Sequence, residues 1–339
     1  MNLSDVKQIG IVGGGPAALM LCFEAAKLGI RTCILDPQID CIGSAVANEH
    51  IVASINKENI KKLSLRCDKV IFNTKPEFEL DVKLHAPIYP NKESLNEVYD
   101  SKNIWDILEL LEIPAAKIYY QDNKQDTFAK IEGLKMPFRF IKQFDGYCKT
   151  MDIFNKEDLA DFILEMDEDA TRFILQPIEE YKQTVSCICL VDGQGKAHLY
   201  HPIEVKYEED ETCTLAISDN LTKTMINRLN RYNRKLMKEI NAVGIYTVRY
   251  GIKANKSVEF IDIMPELGVG SLLTLEAYDL SIYEQYMRLI LDMKVATPEL
   301  ISYAHGTLKP THEIDKEDTG HLYKIADHKM CIHAEKKMD

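Results

Sequence analysis

The sequence predicts a parallel α/β unit followed by a mostly antiparallel α+β part. Two patterns carry that reading. Over roughly the first hundred residues, short apolar runs alternate with amphipathic helical stretches, the order of a parallel sheet covered by helices. From about Ile113 the strands instead follow one another with turn signals between them, which is antiparallel connectivity.

Each element has a local cause. Residues 8 to 12 are an apolar run ending in Gly13-Gly14-Gly15, and Ala17 to Leu28 then carries Ala, Leu, Met and Phe at helical spacing until Gly29 stops the helix. Residues 31 to 35 form the next strand and "KVIFN", 69 to 73, a third, with amphipathic helices predicted around 57 to 66 and 94 to 111. Farther on, "AKIYY", "FRFIKQ" and "RFILQPI" are strands around a helix at 157 to 166. "TVSCICLVD" and "AHLYHPIEVKY" flank the hairpin signal "GQG", and "TCTLAIS" supplies a further antiparallel strand. An amphipathic helix, Lys223 to Asn241, leads into "VGIYTVRYGIKANKSVEFIDI", two strands around a turn at Ala254-Asn255, and a last helix spans about Leu280 to Leu291. Beyond Pro298 the chain is short, His-rich and polar, with two strands predicted.

At 339 residues the chain is long enough for two or three domains. A net charge of -12 with scattered basic residues argues against nucleic acid as a partner and leaves small anions open. The nine cysteines form no CxxC pair and sit mostly in apolar runs, so they are expected to be reduced core residues rather than a zinc site. No apolar run reaches the roughly 18 residues of a membrane span, and no signal pattern precedes the first strand, so the cytoplasm is the expected compartment. The motifs GxSxG, HExxH and G-x-x-x-x-G-K-S/T do not occur.

The glycine turn is the first candidate site. Three glycines between a buried strand and a helix present free N–H groups where the helix dipole is positive, which suits an anion. Asp36 ends the next strand twenty-three residues after Gly13, so "IVGGGPAAL" with this acid satisfies the dinucleotide fingerprint G-x-G-x-x-A. The same residues also suit another nucleotide fold, or a turn whose glycines only permit close packing. A flavin or nicotinamide enzyme would continue its parallel sheet, whereas this chain turns to antiparallel strands.

Longer stretches carry a resemblance. "IGIVGGG…AAKLGIRTCILDPQIDCIGSAVANEHIVAS", "LELLEIPAAK", "DGYCKTM" and "NAVGIYTVRYGI…VEFIDIMPELGVGSLLTLEAYDLSIYEQYMRLI" resemble the 5-(carboxyamino)imidazole ribonucleotide synthases, which are ATP-grasp ligases, and "HLYK…HKMCIH" echoes their last strands. The resemblance implies an ATP-grasp fold: a Rossmann-like pre-ATP-grasp domain over 1–104, a lid subdomain over 105–180, a central antiparallel domain over 181–297 and a short, truncated C-terminal segment over 298–339. It also implies ATP and Mg²⁺ as cofactors, bicarbonate and aminoimidazole ribonucleotide as substrates, and a homodimer.

The family's site residues carry over unevenly. Where the family has a Glu on the strand written "IYTVRYG" this chain has Arg249; the second acid is Asp262, the one candidate metal ligand, preceded by Ile261. Against the family's "APRPHNSGH" the chain writes "MPELGVGSL", with Glu266 in place of an Arg and Leu272 in place of a His. Lys142 keeps the position of the ATP-contacting lysine, an earlier lysine is Trp105, and Gly146-Tyr147 is what remains of the mobile glycine loop, followed by Cys148, Lys149, Thr150 and Met151. The acids expected around the nucleoside are Gln176 and Thr184. By resemblance, Lys142, Gln176 and Asp262 are therefore expected at the nucleotide. Gly14, Gly15, Asp36, Lys324 and Lys329 are expected at the substrate, with Pro16, Leu19 and His328 departing from the family there. Pro265, Glu276, Ala277, Ser281, Glu284, Gln285 and Arg288 match the helix that packs on the central sheet.

Three functions follow as expectations: an ATP-grasp ligase of this synthase type; a catalytically inactive relative acting as a binding or partner protein, motivated by replacements at several separate motif positions; and an FAD- or NAD-dependent oxidoreductase resting on residues 9 to 36 alone.

Overall fold

The computed structural model describes residues 6–144, 147–159, 172–208, 212–310, 319–325 and 328–336. They form three sheets. The first is parallel throughout: β1 (Gln8–Val12), β2 (Arg31–Asp36), β3 (Glu49–Val52), β4 (Lys69–Phe72) and β5 (Ile88–Tyr89) lie in the order β3-β2-β1-β4-β5. The helix Pro16–Lys27 begins with proline at its first turn, where no N–H is needed. It ends in a Schellman pattern: Gly29 takes φ +71, and the N–H groups of Gly29 and Ile30 reach back to the carbonyls of Ala26 and Ala25.

The single helix predicted over 94 to 111 is two, Lys92–Tyr99 and Ser101–Leu110. Asp100 leaves helical geometry and its carboxylate accepts from Lys102 N at 2.9 Å, so a local cap outcompetes the continuous apolar periodicity.

A small antiparallel sheet follows, with β6 (Tyr119–Gln121), β7 (Phe138–Phe144), β8 (Tyr147–Ile153) and β9 (Arg172–Pro177) in the order β6-β9-β7-β8. One of its faces is a core of Phe138, Phe140, Ile153, Phe173 and Leu175. Most of the helix predicted at 157 to 166 lies outside the described residues.

The third sheet has nine strands: β10 (Gln183–Val191), β11 (Ala197–Leu199), β12 (Ile203–Tyr207), β13 (Cys213–Ile217), β14 (Gly244–Ile252), β15 (Val258–Met264), β16 (Ser302–Pro310), β17 (His321–Ile325) and β18 (His328–Lys336). The order is β15-β14-β10-β12-β13-β16-β18-β17, with β11 on β10. "AHLYHPIEVKY" does not stay one strand: Pro202 has no N–H for the ladder, and His201 N donates to Tyr278 Oη at 2.7 Å instead. The tail differs too. It supplies three strands rather than two, and β16 pairs with β13, so it extends the central sheet. Ser302, Ala304 and Gly306 are buried while Ile301 and His305 are exposed, the alternation of a half-covered strand.

Alternation along β10 and β14 divides the central sheet's side chains. Cys187, Cys189, Tyr246, Val248 and Tyr250 pack with Leu229 and Leu236 of the helix Lys223–Glu239. The two leucines lie seven apart on one stripe, each fully buried and contributing about 2 kcal/mol. Ile188 and Ile245 turn the other way, into a core shared with the helices Pro16–Lys27 and Ile282–Ile290. On that second face, Thr247 and Arg249 continue the row beyond Ile245.

Candidate functional site

β14 and β15 place the central feature. Their register slips between Arg249 and Tyr250, so that Arg249 pairs with Asp262 and Tyr250 with Phe260, leaving Ile261 as the extra residue of a bulge. The bulge turns Asp262 beside Arg249, and the two form a two-pronged ion pair: Nε donates to Oδ1 at 2.7 Å and Nη2 to Oδ2. Asp262, whose carboxylate is hydrogen-bonded and charge-paired, pushes the Arg249 guanidinium's proton affinity further up against the opposing effect of burial.

A pocket lies on each side of this pair. One, of about 180 Å³, opens between the small sheet and β15; its walls include Ile104, Trp105, Arg139, Ile141, Ile174, Gln176 and Asp262. Trp105 is held edge-on to Phe260 with centroids 5.3 Å apart, and its indole N–H donates to Ala116 O at 2.9 Å. Arg139 carries a second two-pronged pair with Asp152, at 2.7 and 2.9 Å; that contact holds Asp152 below the usual carboxylate range. The other pocket, of about 160 Å³, sits between the central sheet and the 3₁₀ turn Val269–Leu273, and is lined by Thr184, Ser186, Tyr207, Thr247, Arg249 and Ser271 among others. Asp262 faces the first pocket and Arg249 the second, so the ion pair stands as a partition between them.

The structure brings Trp105, Gln176 and Asp262 together in the first pocket and puts Thr184 and Arg249 in the second. It does not bring Lys142 to either. Arg139 and Ile141 face the slot, so alternation sends Lys142 to the opposite face with Phe138 and Phe140, where it is 1% exposed. It is therefore neither a slot residue nor an exposed strand lysine. Arg139 and Lys75 are cations of the slot that the sequence reading passed over; for Arg139 the spacing of two from Ile141 was the available signal. Gly146 lies outside the described residues, as do the side chains of Cys148, Lys149, Thr150, His328 and Lys329.

The glycine turn is occupied by its own chain. Gly14 N donates to Asp36 Oδ2 at 2.7 Å, and Asp36 Oδ1 accepts from Gln38 N at 2.8 Å. A Cβ on Gly14 would lie 2.3 Å from Cys41 Sγ, and Gly43 N bonds Gly14 O at 2.8 Å. In a dinucleotide fold the second glycine lets pyrophosphate approach the backbone; here Cys41 takes that space. This corrects the oxidoreductase alternative. Of the three glycines of this turn, Gly15 is the one with open space where a side chain would start. Lys324 is exposed on β17, an edge strand, opposite Lys329 in register, and lines neither pocket.

Two positions where the resemblance implies donors are core. Leu19 is 5% exposed and Leu272 fully buried, both within the cluster joining the first helix to the central sheet. Glu266, in place of an arginine, is pushed up to about 7, by burial first and by the Asp262 charge second, against Arg249.

Magnesium does not fit these residues. Both oxygens of Asp262, the one matching acid, are engaged by Arg249. A cation beside the guanidinium would be repelled by about 4 kcal/mol per unit charge at 4 Å and an effective dielectric near 20. A planar base fits the first pocket better: isoleucines and Trp105 share its walls with polar groups, and the Gln176 amide offers both a donor and an acceptor.

Comparison with known proteins agrees with this architecture. Residues 6–98 match the ribonucleotide synthetase preATP-grasp domain and residues 106–280 match the ATP-grasp domain. The chain belongs to the ATP-grasp family. Within it, the chain is a divergent relative of N5-carboxyaminoimidazole ribonucleotide synthases: 26% identical over 330 residues to that of Staphylococcus epidermidis, covering 92% of this chain and 83% of the relative. Against the Staphylococcus aureus (strain MRSA252) synthase it is 24% identical over 298 residues, covering 85% and 78%. The fold superposes on an N5-carboxyaminoimidazole ribonucleotide synthetase solved as an ADP complex, with TM-score 0.79 at 18% identity over 96% of this chain and 92% of that one. The Aspergillus clavatus synthase, solved with ADP and 5-aminoimidazole ribonucleotide, gives TM-score 0.78 at 16% identity over 96% and 93%. No helix of the described residues is long and apolar enough to cross a membrane.

Proposed function

We propose that this chain is an ATP-grasp protein that binds an adenine-type base or nucleoside in the slot under the small sheet and does not carry out magnesium-dependent carboxylation. The single observation behind this is the Arg249–Asp262 pair, which occupies the one matching acid and places a fixed cation at the position of the family's first acid. Trp105, Gln176 and the isoleucines hold the base by apolar contact and one amide, and Asp262, already paired with Arg249, is not free to carry a metal to a phosphate tail. A role as a binding or partner protein follows, in the cytoplasm; a homodimer is part of the same proposal.

Isothermal titration tests it. Adenosine and ADP are expected to bind with equal affinity in EDTA and in magnesium, and no phosphate is expected from ATP with bicarbonate and aminoimidazole ribonucleotide. Bicarbonate-dependent phosphate release would establish the other reading, a carboxylating ligase. That reading is favoured by the length over which the chain matches synthases, ligands of which include ADP and aminoimidazole ribonucleotide.

A further inference from the structure

A third cleft, of about 630 Å³, lies where the first sheet, the β10–β11 hairpin and the end of the helix Ile282–Ile290 meet. Its floor is apolar, with Val243 and Leu289, and is fixed by Asn91, whose N–H donates to Val243 O and whose Oδ1 accepts from Val243 N at 2.7 Å. Neither pocket of the Arg249–Asp262 site shares a residue with it.

The charges around the cleft do not cancel. Asp192 accepts from the N–H groups of Gln194 and Lys196 through Oδ1 and meets His198 Nε2 through Oδ2 at 3.0 Å. Burial works to raise its carboxyl, but the His198 contact and the two backbone donors prevail and hold it below the usual range. Asp292 meets Lys69, a lysine 4% exposed whose ammonium also donates to Tyr89 Oη, each at 3.2 Å. Asp292 is thus matched by a cation, whereas Asp192 beside a neutral imidazole is hydrogen-bonded and keeps its charge. The Lys196 and Lys294 ammonium groups on the exposed rim meet no carboxylate among the described residues. Their two charges exceed the single charge of Asp192 together with the half charge, about -0.5, at the nearby helix C-terminus.

His198 supplies a second and independent pointer. Its side chain is 2% exposed and forms part of the wall. Because ionised Asp192 can only accept, Nε2 carries a hydrogen; Nδ1 is buried with no partner, and whenever the ring is neutral it is a bare lone pair. Buried nitrogens of this kind ordinarily have a donor. The hairpin beside it turns through Gly193 and Gly195, neither of which has an atom within 4 Å of where a side chain would start, so that part of the rim is open.

We propose that this cleft binds a small anionic metabolite bearing a hydroxyl group, with the anion between Lys196 and Lys294 and the hydroxyl hydrogen donated to His198 Nδ1. Glycerol 3-phosphate serves as the probe, with sulfate as an anion lacking a hydroxyl hydrogen and glycerol as a hydroxyl lacking charge. Titrations of the full chain, followed by calorimetry and by ¹⁵N resonances of labelled histidine, are expected to show glycerol 3-phosphate binding at least about tenfold tighter than either control. One ring nitrogen should shift as it gains a hydrogen bond. Lys196→Ala with Lys294→Ala, both exposed, is expected to weaken binding about tenfold without loss of fold. Absence of saturable binding up to about 10 mM, a double variant within about twofold of the parent, or binding that moves no histidine nitrogen would each overturn the proposal.

Discussion

The slot under the small sheet and the pocket beside the 3₁₀ turn lie on either side of one ion pair, yet they have changed in opposite ways. The slot keeps isoleucines, an amide and a fixed tryptophan among its polar groups, so it still suits a flat ring. Across the Arg249–Asp262 partition, positions at which the resemblance implies donors are a buried leucine and a half-buried acid with a raised pKa. Shape and apolar contact are maintained by the same packing that holds the fold. Polar groups that serve a ligand stabilise nothing in its absence, and replacing them by apolar residues removes a desolvation cost. The contrast therefore separates what the fold needs from what the chemistry needs.

The sharpest way to break the comparison is to return a polar group to the altered side. Leu272→His would place an imidazole in a fully buried site, and a loss of about 4 kcal/mol in urea unfolding is expected from lost packing and an unmet hydrogen bond. A loss under about 1 kcal/mol would mean that the position is still a pocket wall able to receive a donor. Next in size is Gly14→Ala. Its new methyl would meet Cys41, costing about 2 kcal/mol, and Cys41→Gly in the same chain should recover most of it. Failure of that rescue would put the strain elsewhere and reopen the glycine turn as a ligand site.

How much of this was legible beforehand follows from the range of the forces involved. The parallel first sheet, the hairpin at "GQG" and the helix Lys223–Glu239 are written in local periodicity and turn chemistry, and they appear nearly where the pattern places them. The break at Asp100 was also local, but an Asx cap is a single residue inside a strong apolar rhythm. The tail was underestimated because β16 finds its partner β13 about ninety residues earlier, and only that pairing makes a polar, histidine-rich stretch into sheet. At the site, Asp262, Gln176 and Trp105 were readable as positions. That Lys142 faces away, that Arg139 faces in, and that Arg249 closes on Asp262 depended on strand phase and on a one-residue bulge. A slip of one residue exchanges the faces of a strand, and no composition records it.

A smaller effect probes the partition through pH. Glu266 is raised from an ordinary value of 4.5 to about 7, so the folded chain holds its proton more tightly than the unfolded chain does. Stability contributed by this group is full below about pH 4.5 and is lost as pH rises through about 7, because the folded state then carries a charge it disfavours. Allowing for its partial exposure, the drop is about 1 to 2 kcal/mol. Urea unfolding across this range should show a downward slope that Glu266→Gln removes. A slope unchanged in the variant would assign it to other groups and leave Glu266 an ordinary surface acid.

The smallest expected effect separates the tail from the site. Lys324 is exposed on the outer strand of the central sheet and touches neither pocket, so Lys324→Ala should change unfolding free energy by less than about 0.5 kcal/mol. Adenosine affinity, measured by titration, should stay within about twofold of the parent, since an exposed charge beyond a Debye length is screened by salt. A larger loss of affinity would require the β17–β18 hairpin to close toward the slot when ligand binds. The contrast would then lie between an open and a closed form of one site, rather than between a maintained half and an altered one.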